Sequence, residues 1–156
     1  MGALLAKENI WYVGTQDPNL RVFDIIMHSD WGTSYNAYLV KGSEKTALFE
    51  TSKLEFFDEF LANVREVFDP ASIDYIVVDH TEPDHSGSLE KLLALAPNAT
   101  VLGSATALNF LKQIVNHEFA CRAVTEKDTV DLGGMTLHFL SVPFLHWPDS
   151  MYTYIP

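Results

Sequence analysis

Residues 73–87 read IDYIVVDHTEPDHSG, and the character of the chain changes in the middle of them. Ile73 to Asp79 is a short apolar run rich in β-branched residues, the pattern of a strand buried on both faces. It is followed directly by His80-Thr81-Glu82-Pro83-Asp84-His85-Ser86-Gly87, which sets four potential metal ligands within six residues. For a chain of this composition the chance of His-x-Glu-x-Asp-His arising by accident is on the order of one in a thousand. A loop leaving a strand end is where a rigid scaffold converges side chains on a site. Pro83 fixes φ in that loop and Gly87 permits a close turn. If the loop is extended, residues two apart point the same way, so His80, Glu82 and Asp84 face inward together and His85 follows from the turn.

Upstream of this strand, Leu54, Phe57, Leu61, Val64 and Phe68 recur at steps of three and four, predicting a helix with one apolar face that Pro70 ends. Downstream, Ser86 or Ser88 is the expected cap of a helix burying Leu89, Leu92, Leu93 and Ala96. TVLGS then reads as a strand, and Ser104 as the cap of a helix with Leu108, Leu111 and Val115 inward.

Both ends of the chain read as β structure. NIWYVGT (9–15) and RVFDIIM (21–27) flank the turn cluster QDPNL and are expected to pair as a hairpin. AYLVKG and TALFET flank Ser43 to Lys45 and extend this into an antiparallel meander. Near the other end, Thr129–Leu132 and Met135–Val142 flank Gly133-Gly134, a dipeptide suited to a tight hairpin, with Met135, Leu137 and Phe139 on one face. The sum is an α/β layered domain of mixed sheets with helices packed outside.

The chain has 156 residues and 47% hydrophobic content, enough for one domain with a sizeable core and no linker to divide it. Ten basic against 21 acidic residues give a formal charge of −11, which argues against nucleic acid and against anionic membrane as partners. No apolar stretch approaches the roughly 20 residues of a membrane span, and the N-terminus lacks the order of a signal peptide. A single cysteine, Cys121, forms no internal disulfide and suits a reducing, cytoplasmic compartment, so any metal must be held by His and carboxylate.

Four ligands exceed the three protein ligands of an open catalytic zinc, and imidazoles mixed with carboxylates can be shared between two metals. His146, after the apolar run FLSVPF and beside Trp147-Pro148-Asp149, is a plausible fifth ligand. His138 alternates with Leu137 and Phe139 and points to the other face, His117 follows a helix, and His28 is a loop residue that could stand behind the ligands.

These residues resemble the diiron domain of the flavodiiron proteins, or A-type flavoproteins, of the metallo-β-lactamase superfamily. The resemblance rests on His80-x-Glu82-x-Asp84-His85-x-Gly87, on His146 with 60 residues between it and His85, on Gly32-Thr33-Ser34-Tyr35-Asn36-Ala37-Tyr38-Leu39-Val40, and on Trp147-Pro148-Asp149-Ser150-Met151. It covers essentially the whole chain. It implies the N-terminal portion of an αββα sandwich over residues 1–156. It also implies two irons, His80, Glu82 and His146 on one and Asp84 and His85 on the other, with Trp147 as a wall of the pocket. Hydrolases of the superfamily usually carry His where this chain has Glu82, and the exchange makes a harder, more anionic site that suits iron over zinc.

The implied activity is reduction of O2 to water or NO to nitrous oxide, with electrons from FMN fed by rubredoxin or a flavoprotein reductase, in a head-to-tail dimer. Family members also carry a bridging Asp, a further His and a flavodoxin-like FMN domain, none of which has a match here. Read this way the 156 residues are a truncated or split module that binds metal poorly by itself. Two readings compete: a zinc-dependent hydrolase of the same fold, and a non-catalytic module that senses O2 or docks a partner.

Overall fold

In the computed structural model, which describes residues 2–156, the chain builds its main sheet in two styles. The first two strands, β1 (Leu4–Lys7) and β2 (Ile10–Tyr12), are followed by three short ones, β3 (Thr15–Asp17), β4 (Val22–Phe23) and β5 (Met27–His28), and by β6 (Thr33–Tyr35). Then β7 (Tyr38–Lys41) and β8 (Thr46–Phe49) form the expected hairpin, and β1, β2, β7 and β8 are antiparallel neighbours. From β8 the connections become helical crossovers. Helix α1 (Phe57–Val67) leads to β9 (Tyr75–Val77), α2 (Pro83–Ser86) and α3 (Leu89–Leu95) to β10 (Thr100–Gly103), and α4 (Ala105–Ile114) to β11 (Cys121–Ala123). Strands β8 to β11 are parallel, as crossovers of this length require. A second sheet of β12 (Thr129–Asp131), β13 (Thr136–Ser141) and β14 (Met151–Tyr154) is antiparallel throughout.

The period-two alternation of the central strands sorts their side chains into two cores. Leu39, Leu48, Ile76, Val78 and Val101 face the helices and pack with Phe60, Leu61, Val64, Leu92 and Leu111. Their neighbours Val40, Ala47, Val77 and Leu102 face the second sheet and pack with Val130, Leu132, Leu137, Phe139 and Met151. The layers therefore run helix, sheet, sheet, and β9 is buried on both faces, as its apolar run foretold. The two sheets are tied at one end by backbone bonds from Glu44 and Lys45 to the Leu132 carbonyl. Gly42 is required there, since a Cβ would overlap that same carbonyl oxygen. Gly133 and Gly134, at φ of 84° and 83°, make the expected tight turn.

Four local expectations are corrected. Residues 9–15 and 21–27 do not pair: β2 is occupied on both sides by β1 and β7, β3 pairs with β6, and β4 closes on β5 through a turn at Asp24 and Ile25, both at positive φ. Leu54 is not on the core face. It sits in a 3₁₀ turn ahead of α1 and is half exposed, while Phe60 fills the interior. Phe68 is extended beyond the end of α1. Neither Ser86 nor Ser88 caps α3 with its side chain, because Ser86 donates to the Thr81 carbonyl and Ser88 to the Lys53 carbonyl. Ser104 does cap α4, accepting from the Ala107 amide. Strands β11 and β14 have no counterpart in the sequence reading.

Candidate metal centre

The parallel strands β8 and β9 both end at one edge of the main sheet, the usual position of a ligand site in such sheets. Glu50 leaves β8 there and Asp79-His80 leaves β9. The Asp79 amide donates to Glu50 Oε1 at 2.7 Å, and the Asp79 carbonyl accepts from the Met151 amide at 2.9 Å, so the edge is stitched to β14 of the second sheet. Thr153 of β14 adds a hydroxyl bond to Asp79 Oδ1 at 2.8 Å. The loop between β13 and β14 is thereby swung over the strand ends, carrying His146, Trp147 and Asp149.

Beyond Glu82 the loop is not extended. Pro83 opens a single helical turn, α2, with the His85 and Ser86 amides bonded to the Glu82 carbonyl at 2.8 and 2.9 Å. Asp84 and His85 therefore lie on a helical turn rather than alternating with His80 and Glu82. The turn is pinned from β8 by Thr51, whose amide and hydroxyl both donate to the His85 carbonyl at 2.8 and 2.7 Å.

His80 is at the centre. Its ring stands edge-on to those of His85, His146 and Trp147, with centroids at 5.0, 5.0 and 5.1 Å. Its Nδ1 lies 3.2 Å from Asp149 Oδ2, an oxygen that also accepts from the Thr81 amide and hydroxyl at 2.8 Å each. An ionised carboxylate only accepts, so the bond to Asp149 places the hydrogen on Nδ1 and leaves the Nε2 lone pair outward. Nε2 meets Glu82 Oε2 at 3.1 Å, and that oxygen is 3.2 Å from His146 Nε2.

The donor atoms of His80, Glu82 and His146 all lie within 4.8 Å of one another. Ligand bonds of about 2.1 Å imply edges of roughly 3.0–3.4 Å between neighbouring donors, for octahedral and tetrahedral arrangements respectively. The two distances about Glu82 Oε2 fall in that range. An imidazole lone pair and a carboxylate oxygen facing each other are two acceptors, which a shared cation reconciles. Beside this cluster, His85 Nε2 is 3.6 Å from Asp84 Oδ2 and His85 Nδ1 is 3.4 Å from Glu50 Oε2. Glu50 Oε2, Asp84 Oδ1 and Asp149 Oδ1 are buried without a hydrogen-bond partner, so the site has more carboxylate oxygens than protein donors to serve them. The donor set fits hard divalent metal.

The electrostatics carry the same imbalance. Burial pushes the Glu50 carboxyl up, against the opposing influence of His85. Burial, then the charge of Glu50, pushes Asp79 up to about 7. Burial works against a charged His85, yet Glu50, Asp84 and Glu82 together hold it up at about 9.

All five candidate ligands thus converge on one edge, His146 being the most exposed at 61% of its side chain. Trp147 packs edge-on against His80 and its ring centroid lies 6.2 Å from that of His146, but it does not line the adjoining cavity. His28 is exposed on β5 in register with Val22, and no hydrogen bond, ion pair or ring contact joins it to the cluster among the described residues. His138 pairs in register with Thr129 and Tyr154 in the second sheet, away from the cluster. Glu50, Asp79 and Asp149 escaped the sequence reading, although two of them flank ligand runs and one ends an apolar strand. A cavity of about 510 Å³ adjoins the cluster, floored by Tyr38, Val40 and Phe49 and bounded by Leu145, Tyr152 and Ile155.

Residues 33–156 match the family described as ODP family beta lactamase. The chain is 51% identical over 155 residues to the flavo-diiron protein FprA2 of Clostridium acetobutylicum, and 41% identical over 151 residues to a nitric oxide reductase of Moorella thermoacetica. These matches cover 98% and 96% of this chain and 38% of each relative. The structure superposes on rubredoxin oxygen:oxidoreductase of Desulfovibrio gigas with a TM-score of 0.92 at 35% identity, covering 98% of this chain and 38% of that one. The chain thus spans less than two fifths of the length of these proteins.

Proposed function

The chain belongs to the family described as ODP family beta lactamase and is similar to flavodiiron proteins, and on that premise we propose that it supplies the diiron module of an oxidoreductase reducing O2 to water or NO to nitrous oxide. The observation that carries this reading is the convergence of His80, Glu82 and His146 within 4.8 Å. These three would hold one iron, and Asp84 and His85 would contribute to a second beside it. When bound, reduced iron supplies the electrons and the open positions at which a diatomic gas is reduced.

The residues of the chain do the rest. Glu82 presents one oxygen to both His80 and His146, adding negative charge that favours iron over a hydrolytic zinc. Trp147 stands over His80 and shields one side of the cluster from water. The adjoining cavity of about 510 Å³ has room for a small uncharged gas and places it against both apolar side chains and the cluster itself. Electrons would come from FMN reduced by rubredoxin or a flavoprotein reductase, with FMN and iron brought together in a head-to-tail dimer. No helix among the described residues is long and apolar enough to cross a membrane, and with Cys121 unpaired we place the protein in the cytoplasm.

Anaerobic reconstitution with Fe(II), followed by O2 and NO consumption in the presence of a reduced flavin donor, tests the assignment. Gas consumption that depends on iron and falls in Glu82→Gln supports it. Hydrolysis of ester or lactam substrates with zinc, and no gas consumption with iron, would move the chain to the hydrolytic reading.

A further inference from the structure

Two carboxylates outside the candidate ligand set are built into this edge, each beside Nδ1 of a different ring, one as a hydrogen bond and one as an ion-pair contact. Asp149 is fully buried and faces Nδ1 of His80 at 3.2 Å; Glu50 faces Nδ1 of His85 at 3.4 Å with its side chain 12% exposed. They come from opposite sides of the site, Asp149 from the loop before β14 and Glu50 from the end of β8. Each is itself anchored. Asp149 Oδ2 takes both Thr81 donors, and the Asp149 carbonyl accepts from the Ser104 hydroxyl at 2.8 Å. Glu50 Oε1 is occupied by the Asp79 amide, which leaves Oε2 for His85. Glu50 also holds a left-handed backbone, φ of 59°, that sets the direction in which its side chain leaves the strand.

Resting on the metal-centre reading above, we propose that Asp149 and Glu50 are positioning residues: Asp149 holds Nδ1 of His80 in a hydrogen bond, Glu50 sets its unbonded Oε2 as a charge 3.4 Å behind Nδ1 of His85, and the two so turn Nε2 of His80 and His85 to the side where Glu82 and Asp84 stand. A carboxylate bonded to the far nitrogen of a metal-binding imidazole fixes its tautomer and orientation and raises its basicity, and removing one weakens metal binding about 10–100-fold. The arrangement also separates duties. Glu82 and Asp84 point at the Nε2 atoms, 3.1 and 3.6 Å away, while Asp149 and Glu50 stand behind the rings.

The test uses Asp149→Asn and Glu50→Gln, which keep an acceptor and nearly the same shape while removing the charge. Fe(II) affinity is measured anaerobically by competition with a chromophoric chelator. The exchangeable Nδ1–H resonances are followed by NMR after loading with Co(II), and folding of the metal-free chains is checked by circular dichroism. Each variant is expected to bind Fe(II) about 10–100-fold more weakly, and each to shift or lose the Nδ1–H signal of its own histidine while the other signal stays. A latch with no influence on the metal would lower thermal stability and leave affinity and resonances as in the wild type; that result overturns the proposal. If Asp149→Asn fails to fold, Glu50→Gln decides the same question at the second ring. A wild-type chain that takes up no Fe(II) overturns the metal-centre reading itself, whereas wild-type uptake with unchanged variants overturns only the role given to Asp149 and Glu50.

Discussion

Asp149→Ala removes an oxygen on which the His80 loop and the β13–β14 loop meet. Three donors converge on Oδ2: the Thr81 amide, the Thr81 hydroxyl and His80 Nδ1. The hydroxyl can rotate to another acceptor, but the amide and the ring nitrogen are buried and stay behind. A buried donor left unmatched costs about 1–3 kcal/mol, so the two together cost about 4 kcal/mol. In a domain of this size 1 kcal/mol lowers the melting temperature by about 2–4 °C, giving a fall of roughly 8–16 °C. Asp149→Asn retains an acceptor oxygen and loses only the charge assistance, for which about 1 kcal/mol is expected. Urea unfolding of the chelator-treated proteins, followed by circular dichroism, measures both. An alanine variant within 0.5 kcal/mol of wild type, or an asparagine variant as costly as alanine, would refute the reasoning that this oxygen holds the two loops together.

Other outcomes follow from the cores and from one buried phenol. Phe60→Ala empties a fully buried position between α1 and the main sheet and is expected to cost about 3–5 kcal/mol, whereas Leu54→Ala, half exposed in the turn before α1, should stay within about 0.5 kcal/mol; paired denaturation curves separate them. Gly42→Ala should destabilise the hairpin contact between the two sheets, because the added methyl meets the Leu132 carbonyl, and hydrogen exchange at Glu44 and Lys45 should speed up with it. Burial, then the neighbouring Asp17, raises Tyr35 to about 12 from an ordinary 10. With the folded value above the unfolded one, the stabilisation is complete below about pH 10 and is lost progressively as pH rises through about 12. Tyr35→Phe should abolish that part of the alkaline slope, and an unchanged slope would show that another group carries it.

The layers were legible because burial on two faces leaves a plain record. In Ile76-Val77-Val78 and Val101-Leu102 every residue is apolar, and such short β-branched runs fit strands packed on both faces. The candidate ligands were legible for a different reason: four of them are consecutive or nearly so, and their chemistry has no role in packing. What stayed hidden depends on contacts between distant segments. Asp149 meets Thr81 across 68 positions and Glu50 meets Asp79 across 29, and a lone acidic residue gives no sign of such a partner. The expected hairpin of residues 9–27 failed on the same ground, since nothing local shows that β2 already has neighbours on both sides. The helical turn at Pro83 was readable in principle, proline being favoured at the first position of a helix, but the apparent loop composition concealed it.

The most direct test of the central claim is an anaerobic Fe(II) titration of the wild-type chain beside Glu82→Gln and Glu82→His, with metal content measured by elemental analysis after desalting. The wild type is expected to retain iron at the His80, Glu82 and His146 cluster, Glu82→Gln to retain far less, and Glu82→His to shift retention from iron toward zinc. Asp84 and His85 by themselves should hold a second iron only weakly. Wild-type chain that retains no iron, or equal retention in all three proteins, would contradict the claim.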